Sequence, residues 1–308
     1  MTDGEAAGSA DRRAVKGVRR RILAWYAGAA RDVPWRRTTD PWAVLVSEVM
    51  LQQTQASRVA ERFPPFLERF PTPRIMAAAS TAEVLVAWSG LGYNRRALAL
   101  HRAATVIAAE GWPATTDGLE ALPGVGRYTA RAVAALAFGR PVGAVDTNVR
   151  RWLVRRFGLE PTVPPRRLQD LADALAGADR RASGAKAAAW MHASMEFGAV
   201  VGRVRRPACP TCPIRAGCPS RDMAPRVPVP RQAAFPGSER LLRGRLLREL
   251  SHAGGHAIPL ARARSLAAGH ELAGVLDRLE RDGLVHRRGA WLRLGSGDAS
   301  AAASTIRS

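Results

Sequence analysis

Residues 40–51, D-P-W-A-V-L-V-S-E-V-M-L, restrict the possible folds more than any other stretch of this chain. Asp40 suits a helix N-cap and Pro41 the first helical position, so the segment predicts a helix. Trp42, Val44, Leu45, Val46, Val49, Met50 and Leu51 leave it almost no polar face. A helix that is apolar nearly all round has to be surrounded by other elements, which puts it at the centre of a core. Glu48 interrupts this run. An ionised, unpaired carboxylate there would cost several kcal/mol. Either an arginine neutralises Glu48, or its carboxyl keeps a proton near neutral pH.

The rest of the chain supplies helices to surround that centre. Helical segments are expected at 18–30, 57–69, 74–79, 81–88, 94–110, 116–121, 127–138, 147–156, 166–176 and 185–201, with short Gly- and Pro-rich connections. Together they predict an all-α unit over 18–219, preceded by a disordered tail over 1–17. Residues 220–237 are Pro-rich and read as an extended linker. Residues 238–297 have the pattern of three helices and a hairpin around Arg288-Gly289, the plan of a winged helix-turn-helix, and 298–308 form a second tail. No apolar run reaches the roughly 18 residues of a membrane span, and the first residues do not resemble a signal peptide. These features predict a soluble, monomeric cytoplasmic protein, associated with the bacterial nucleoid and without a membrane partner.

The formal net charge is +21, more than solubility requires, and it points to a polyanion such as nucleic acid. Nearly all of the positive charge is arginine; Lys16 and Lys186 are the only lysines. Cys209, Cys212 and Cys218 are the only cysteines and lie within ten residues, a spacing that suggests a metal or cluster rather than disulfides.

Two further stretches carry chemistry. L-E-A-L-P-G-V-G-R-Y-T-A-R-A-V-A reads as a helix end, a tight turn at Gly124, Val125 and Gly126, and a new helix from Arg127. Two glycines and a helix N-terminus let backbone N–H groups approach a phosphate, the way a helix-hairpin-helix grips DNA without reading its sequence. In G-A-V-D-T-N-V-R-R, Asp146 stands where a helix begins, and N-cap hydrogen bonds with the helix dipole should keep it ionised. Two carboxyls whose surroundings push their pKa values apart can serve as acid and base. The plain readings stay open: a core glutamate paired with arginine, and an ordinary N-cap.

The strings S-E-V-M-L-Q-Q-T, G-L-G-Y, L-P-G-V-G-R-Y-T-A and V-D-T-N-V-R-R, in this order, resemble the MutY-type adenine DNA glycosylases of the endonuclease III superfamily. The likeness runs from about Val18 to Cys218. It implies an all-α helix-hairpin-helix glycosylase core, a six-helix barrel with an iron–sulfur loop, acting on double-stranded DNA that carries a mismatched or oxidised base pair. It also implies that Glu48 protonates the departing adenine and Asp146 stabilises the sugar cation, with Tyr128 and Asn148 completing the site around Asp146. Gln52 matches the family's wedge residue and Tyr93 an aromatic inserted beside the lesion, while Trp35 lines the adenine pocket; for Trp35 and Tyr93, simple packing is the competing reading. Tyr128 stands where strand-cutting relatives carry a lysine, so base removal without strand cleavage is expected.

The family's cysteine loop has four cysteines, and Gly202 stands at the first position here. Three outcomes stay open: an iron–sulfur cluster of the 4Fe–4S type on Cys209, Cys212 and Cys218, zinc on the same thiolates, or a loop held by packing. The C-terminal 70 residues or so do not match the domain with which many relatives inspect 8-oxoguanine. A thymine or uracil mismatch glycosylase of the same superfamily is the enzymatic alternative, and a winged-helix DNA-binding protein the non-enzymatic one.

Overall fold

The computed structural model describes residues 3–177, 184–221, 239–267 and 269–297. The linker expected over 220–237 lies outside the described residues from 222 onward, as does the tail over 298–308. The described residues are mostly helical. In chain order the helices are α1 (Asp3–Ala29), α2 (Pro41–Leu51), α3 (Ala56–Arg69), α4 (Pro73–Ala78), α5 (Thr81–Ala87), α6 (Arg95–Glu110), α7 (Thr116–Glu120), α8 (Arg127–Leu136), α9 (Thr147–Phe157), α10 (Pro165–Ala176), α11 (Gly184–Val200), α12 (Glu239–His252), α13 (Leu260–Ala267) and α14 (Leu272–Arg281). A single turn of 3-10 helix, Pro34–Arg37, carries Trp35.

The N-terminal segment differs from the sequence reading. The segment expected as a disordered tail over 1–17 continues α1 back to Asp3. Its Ala, Glu and Arg content favours helix, and extending a helix already anchored downstream avoids the cost of a new nucleus. That anchor is Val18 and Ile22, both buried.

The contacts group the chain into two compact units, each made of separate stretches of sequence. One comprises Met1–Glu48, Pro113–Ala121 and Val125–Pro230; the other comprises Val49–Trp112, Leu122–Gly124 and Arg231–Ser308. In the first unit, Val18 and Ile22 of α1 meet Trp152 of α9, Leu175 of α10 and Trp190 and Phe197 of α11. Trp152 stands edge-on to Trp190 and Phe197, with ring centroids 6.5 and 5.6 Å away. This geometry adds to simple area burial. Buried Arg19 lies 5.0 Å from the Trp190 ring and donates to the carbonyls of Leu175 and Ala176 at 3.0 and 3.1 Å, closing the C-terminus of α10.

The second unit joins α3–α6 to the C-terminal elements. Strands β1 (Ala257–Pro259), β2 (Val285–Arg288) and β3 (Trp291–Leu294) form an antiparallel sheet in the order β1-β3-β2. With α12–α14 they have the plan of a winged helix. The hairpin turns at left-handed Gly289, as the sequence suggested. Strand β1 was not expected: three residues ending in proline carry no alternation to read, and proline is tolerated because β1 is an edge strand. Asp282 and Gly283 are among the residues by which this small domain meets α6. Asp282 accepts from Arg243 of α12 at 2.7 Å and pairs with Arg95 of α6 at 3.7 Å, and Leu98 of α6 lies beside Gly283.

Candidate active site

Helix α2 is as buried as its composition requires. Trp42, Val44, Leu45, Val46, Val49 and Met50 are at most 3% exposed, and so is Glu48. Among the described residues Glu48 makes no ion pair. Its carboxyl is pushed up to about 7, chiefly by burial; a hydrogen bond with Tyr128 opposes the shift and the nearby Asp146 charge adds to it. Tyr128, on the first turn of α8, is shifted well above the ordinary phenol range by burial and by the two carboxylates, so it stays a neutral phenol. Its hydroxyl also lies 3.4 Å from Met195 Sδ on α11. The geometry thus brings Glu48, Tyr128 and Asp146 into one electrostatic cluster within the first unit.

Asp146 is the N-cap of α9, and its Oδ1 accepts from the Val149 N–H at 2.6 Å. Its Oδ2 accepts from Asn148 Nδ2 at 2.8 Å, and Asn148 Oδ1 in turn accepts from Arg151 at 2.7 Å. Burial raises the pKa of Asp146 above the ordinary value, and the bonds from Val149 and Asn148 and the Arg151 charge offset part of the rise. The two carboxyls still differ in what opposes burial. Glu48 has a single phenol, whereas Asp146 has three hydrogen bonds, two of them from helix N–H groups, and a cation nearby. The cap and the cation favour the anion at Asp146.

Trp35 is buried and Arg36 follows it. Arg36 Nη2 donates to Glu196 of α11 at 2.7 Å, and Arg31 Nε donates to the same carboxylate at 2.5 Å. Glu196 is 1% exposed. Burial alone would raise its pKa, but the two guanidiniums reverse the shift and hold it below the ordinary value. Arg31, Arg36, Arg151 and Glu196 were missed in the sequence. The arginines carry no signal among 45 of their kind, but Glu196 sits in apolar M-E-F-G and was open to the rule that singled out Glu48.

In the hairpin, Gly124 is left-handed at φ 75° and lies against α6, where a Cβ would come within 2.5 Å of the Ala99 Cβ. Gly126 caps α8 without a side-chain acceptor, Arg127 is exposed, and Val125 is buried beneath them. The first N–H groups of α8 therefore have no capping side chain at Gly126. In the second unit Tyr93 is 43% exposed, while Gln52 is half-buried just past the end of α2.

Arginines hold the cysteine loop through its backbone carbonyls, that of Gly202 among them. The Gly202 carbonyl accepts from Arg151 Nε at 2.6 Å and Arg155 Nη1 at 3.1 Å, and Arg155 also binds the carbonyls of Arg203 and Val204. Arg156 donates to the Gly217 carbonyl at 2.8 Å. A Cβ at residue 202 would lie 3.2 Å from the Trp152 Cβ, so the first ligand position faces packed helices. Cys209, Cys212 and Cys218 are half-buried free thiols, and among the described residues no three groups converge to hold a metal ion. These residues do not fit a four-thiolate cluster.

A buried pair of carboxyls in unlike settings can supply the acid and the anion of a glycosidase-type reaction, which defines the class of site. Residues 46–177 match the HhH-GPD superfamily base excision DNA repair protein family. The chain is 43% identical to the adenine DNA glycosylase of Mycobacterium tuberculosis over 272 residues, 85% of this chain and 84% of that one. It is 30% identical to a thymine-DNA glycosylase of Aeropyrum pernix over 218 residues, covering 68% of this chain and 96% of that protein. The structure of a thermostable thymine-DNA glycosylase superposes with a TM-score of 0.63 at 28% identity, over 69% of this chain and 99% of that one. The chain belongs to the adenine DNA glycosylase family of the HhH-GPD superfamily.

Proposed function

We propose that the protein hydrolyses the N-glycosidic bond of adenine mispaired with 8-oxoguanine or guanine in double-stranded DNA, without cutting the strand. The observation that carries this reading is Glu48: a carboxyl with no cation, pushed up to about 7, beside Asp146. Near neutral pH much of Glu48 holds a proton. Passing it to N7 of the purine makes the base a neutral leaving group as the bond to C1′ breaks. The positive charge left on the sugar is met by Asp146, held in place by Asn148 and the α9 N-terminus. Water then adds to C1′, and its proton returns to the ionised Glu48. Tyr128 orients the Glu48 carboxyl and is a poor nucleophile, because its pKa lies well above the ordinary range.

Gly124, Val125, Gly126 and Arg127 hold the DNA backbone in this reading, and Gln52 and Tyr93 fill the space the base leaves. Trp35 offers a flat face to the purine, with Arg36 and Glu196 as fixed polar neighbours. No step passes through an iron–sulfur group; Arg155 and Arg156 hold the cysteine loop in this chain. A second reading, removal of thymine, is favoured by the thymine-DNA glycosylase relative. It leaves the Glu48 proton without a use, since a pyrimidine has no N7.

Single-turnover assays on duplexes carrying A opposite 8-oxoguanine, A opposite G and T opposite G test the proposal. Excision of adenine from the first two is expected. Release of thymine alone would transfer the protein to the second reading, and efficient borohydride trapping of a covalent DNA adduct would remove the claim that strand cleavage is absent.

A further inference from the structure

Arg96, on the first turn of α6, spends its guanidinium on backbone rather than on a carboxylate. Nη1 donates to the carbonyls of Val49 and Met50, both at 2.9 Å, and to that of Gln52. Nη2 donates to Thr54 Oγ1 at 2.9 Å and to the carbonyls of Gly92 and Leu91 at 3.0 and 3.3 Å. The guanidinium carbon also lies 5.4 Å from the ring centres of both Trp88 and Tyr93. Among the described residues Arg96 forms no ion pair. One planar cation thus ties the last turn of α2 to two separate turns, 52–54 and 91–93, all within the second unit.

Each of those turns contains a non-glycine residue in the left-handed region, Gln53 at φ 56° and Tyr93 at φ 47°. Such conformations are unfavourable for side chains other than glycine and persist only where surrounding contacts overdetermine them. Here the overdetermining contact is shared, because the two strained turns bond to the same guanidinium. Helix carbonyls at a C-terminus lack intrahelical partners, and a planar fork of five donors can gather several at once, which an ammonium cannot.

We propose that Arg96 is a positioning residue that locks the Gln52 turn and the Tyr93 turn into one geometry, so that extrusion of the target base depends on it. This rests on the proposed function, in which those two side chains take up the space of the displaced base. Arg96 does not touch the reacting atoms. Its loss should leave the bond-breaking step intact once a base is seated and should shift the balance between stacked and extruded states.

The test uses the full chain in a Glu48→Gln background, which binds without excising, and a duplex with 2-aminopurine opposite 8-oxoguanine, whose fluorescence rises when the purine leaves the stack. Glu48→Gln alone should bind with a strong rise. Adding Arg96→Lys, which keeps the charge but loses the fork, should cut the rise by about tenfold, the loss expected when charge-assisted bonds disappear. Duplex affinity should change by less than about threefold, since no phosphate contact is removed. Adding Gln53→Gly, which accepts a left-handed φ without strain, should restore part of the rise. An undiminished rise with Arg96→Lys overturns the proposal, and so does a parallel loss of rise and affinity, or no recovery with Gln53→Gly. Should Arg96→Lys not fold, Thr54→Val removes a single acceptor of the guanidinium and must lower the rise by a smaller factor; an unchanged rise there also overturns it. No rise with Glu48→Gln alone would count against the proposed function rather than against Arg96.

Discussion

Replacing Glu48 by Gln should destroy excision and at the same time stabilise the protein, by an amount that depends on pH. Burial moves the carboxyl from 4.5 to about 7. At about 1.4 kcal/mol per pH unit, ionising it in place opposes folding by about 3 kcal/mol. Below the unfolded value of 4.5 both states carry the proton and the penalty is absent. As pH rises from there, the unfolded chain releases its proton while the folded one keeps it, so stability falls. Above about 7 both states are ionised and the full penalty stands. Glutamine is close in size, stays neutral throughout and can still accept from Tyr128, so the variant lacks this term. Comparing variant with wild type cancels the opposite trend of Glu196, whose pKa is lowered by its arginines. Urea unfolding followed by tryptophan fluorescence should show midpoints that nearly coincide at about pH 4.5 and separate by about 1 M or more at about pH 8, for a slope of about 2–3 kcal/mol per M. A gap that stays constant across this range, or a variant less stable than wild type at the alkaline end, would refute the reasoning that Glu48 holds its proton by burial.

The other expectations follow from the same geometry. The single-turnover rate on adenine opposite 8-oxoguanine should fall as pH rises through about 7, because the acid form of Glu48 is lost; a rate still flat well above that pH would exclude Glu48 as the acid. Asp146→Asn keeps an N-cap for Val149, so stability should change by less than about 1 kcal/mol while the rate drops by about a hundredfold or more through loss of the charge facing the sugar cation, measured in parallel melting and single-turnover experiments. Gly124→Ala places a methyl against Ala99 at a left-handed residue and should cost about 2 kcal/mol or more, visible as a lower melting temperature together with weaker DNA binding. Iron and sulfide analysis of anaerobically purified protein should give less than a full four-iron content, since Gly202 supplies no thiolate; a stoichiometric cluster would mean that another group completes it.

The sequence revealed the helices more readily than the details of the site, because helix periods and Gly/Pro breaks are local, whereas charge environments are not. Glu48 and Glu196 make the point. Both are carboxylates in apolar helical runs, S-E-V-M and M-E-F-G, and a pattern rule treats them alike. The fold gives one two arginines at 2.5 and 2.7 Å and the other a phenol and a second carboxylate. One pKa therefore falls below the ordinary value and the other rises to about 7. The partners of Glu196 are 165 and 160 residues distant in the chain, a separation that no local pattern reports. Asp146 shows a different shortfall: its cap was readable from D-T-N-V, but the burial that outweighs the cap was not. The three-residue strand β1 and the helical start of α1 fell between patterns, one too short to alternate and the other too polar to distinguish from a tail.

The energetic cost of the site falls on a few neighbouring residues, and helix α2 links them. Glu48, with its unfavourable ionisation, lies in the last complete turn of that helix, and the turn that follows contains Gln52 and the left-handed Gln53. Arg96 binds the carbonyls of Val49, Met50 and Gln52, so the same guanidinium that restrains the strained turn also fixes the helix end directly after the acid. On the proposed role of Gln52, a substitution that loosens this end need not remove any reacting group to slow the reaction. Loss of rate without loss of the Glu48 pH limb would therefore identify a positioning defect, whereas loss of the limb itself would identify a defect in the acid.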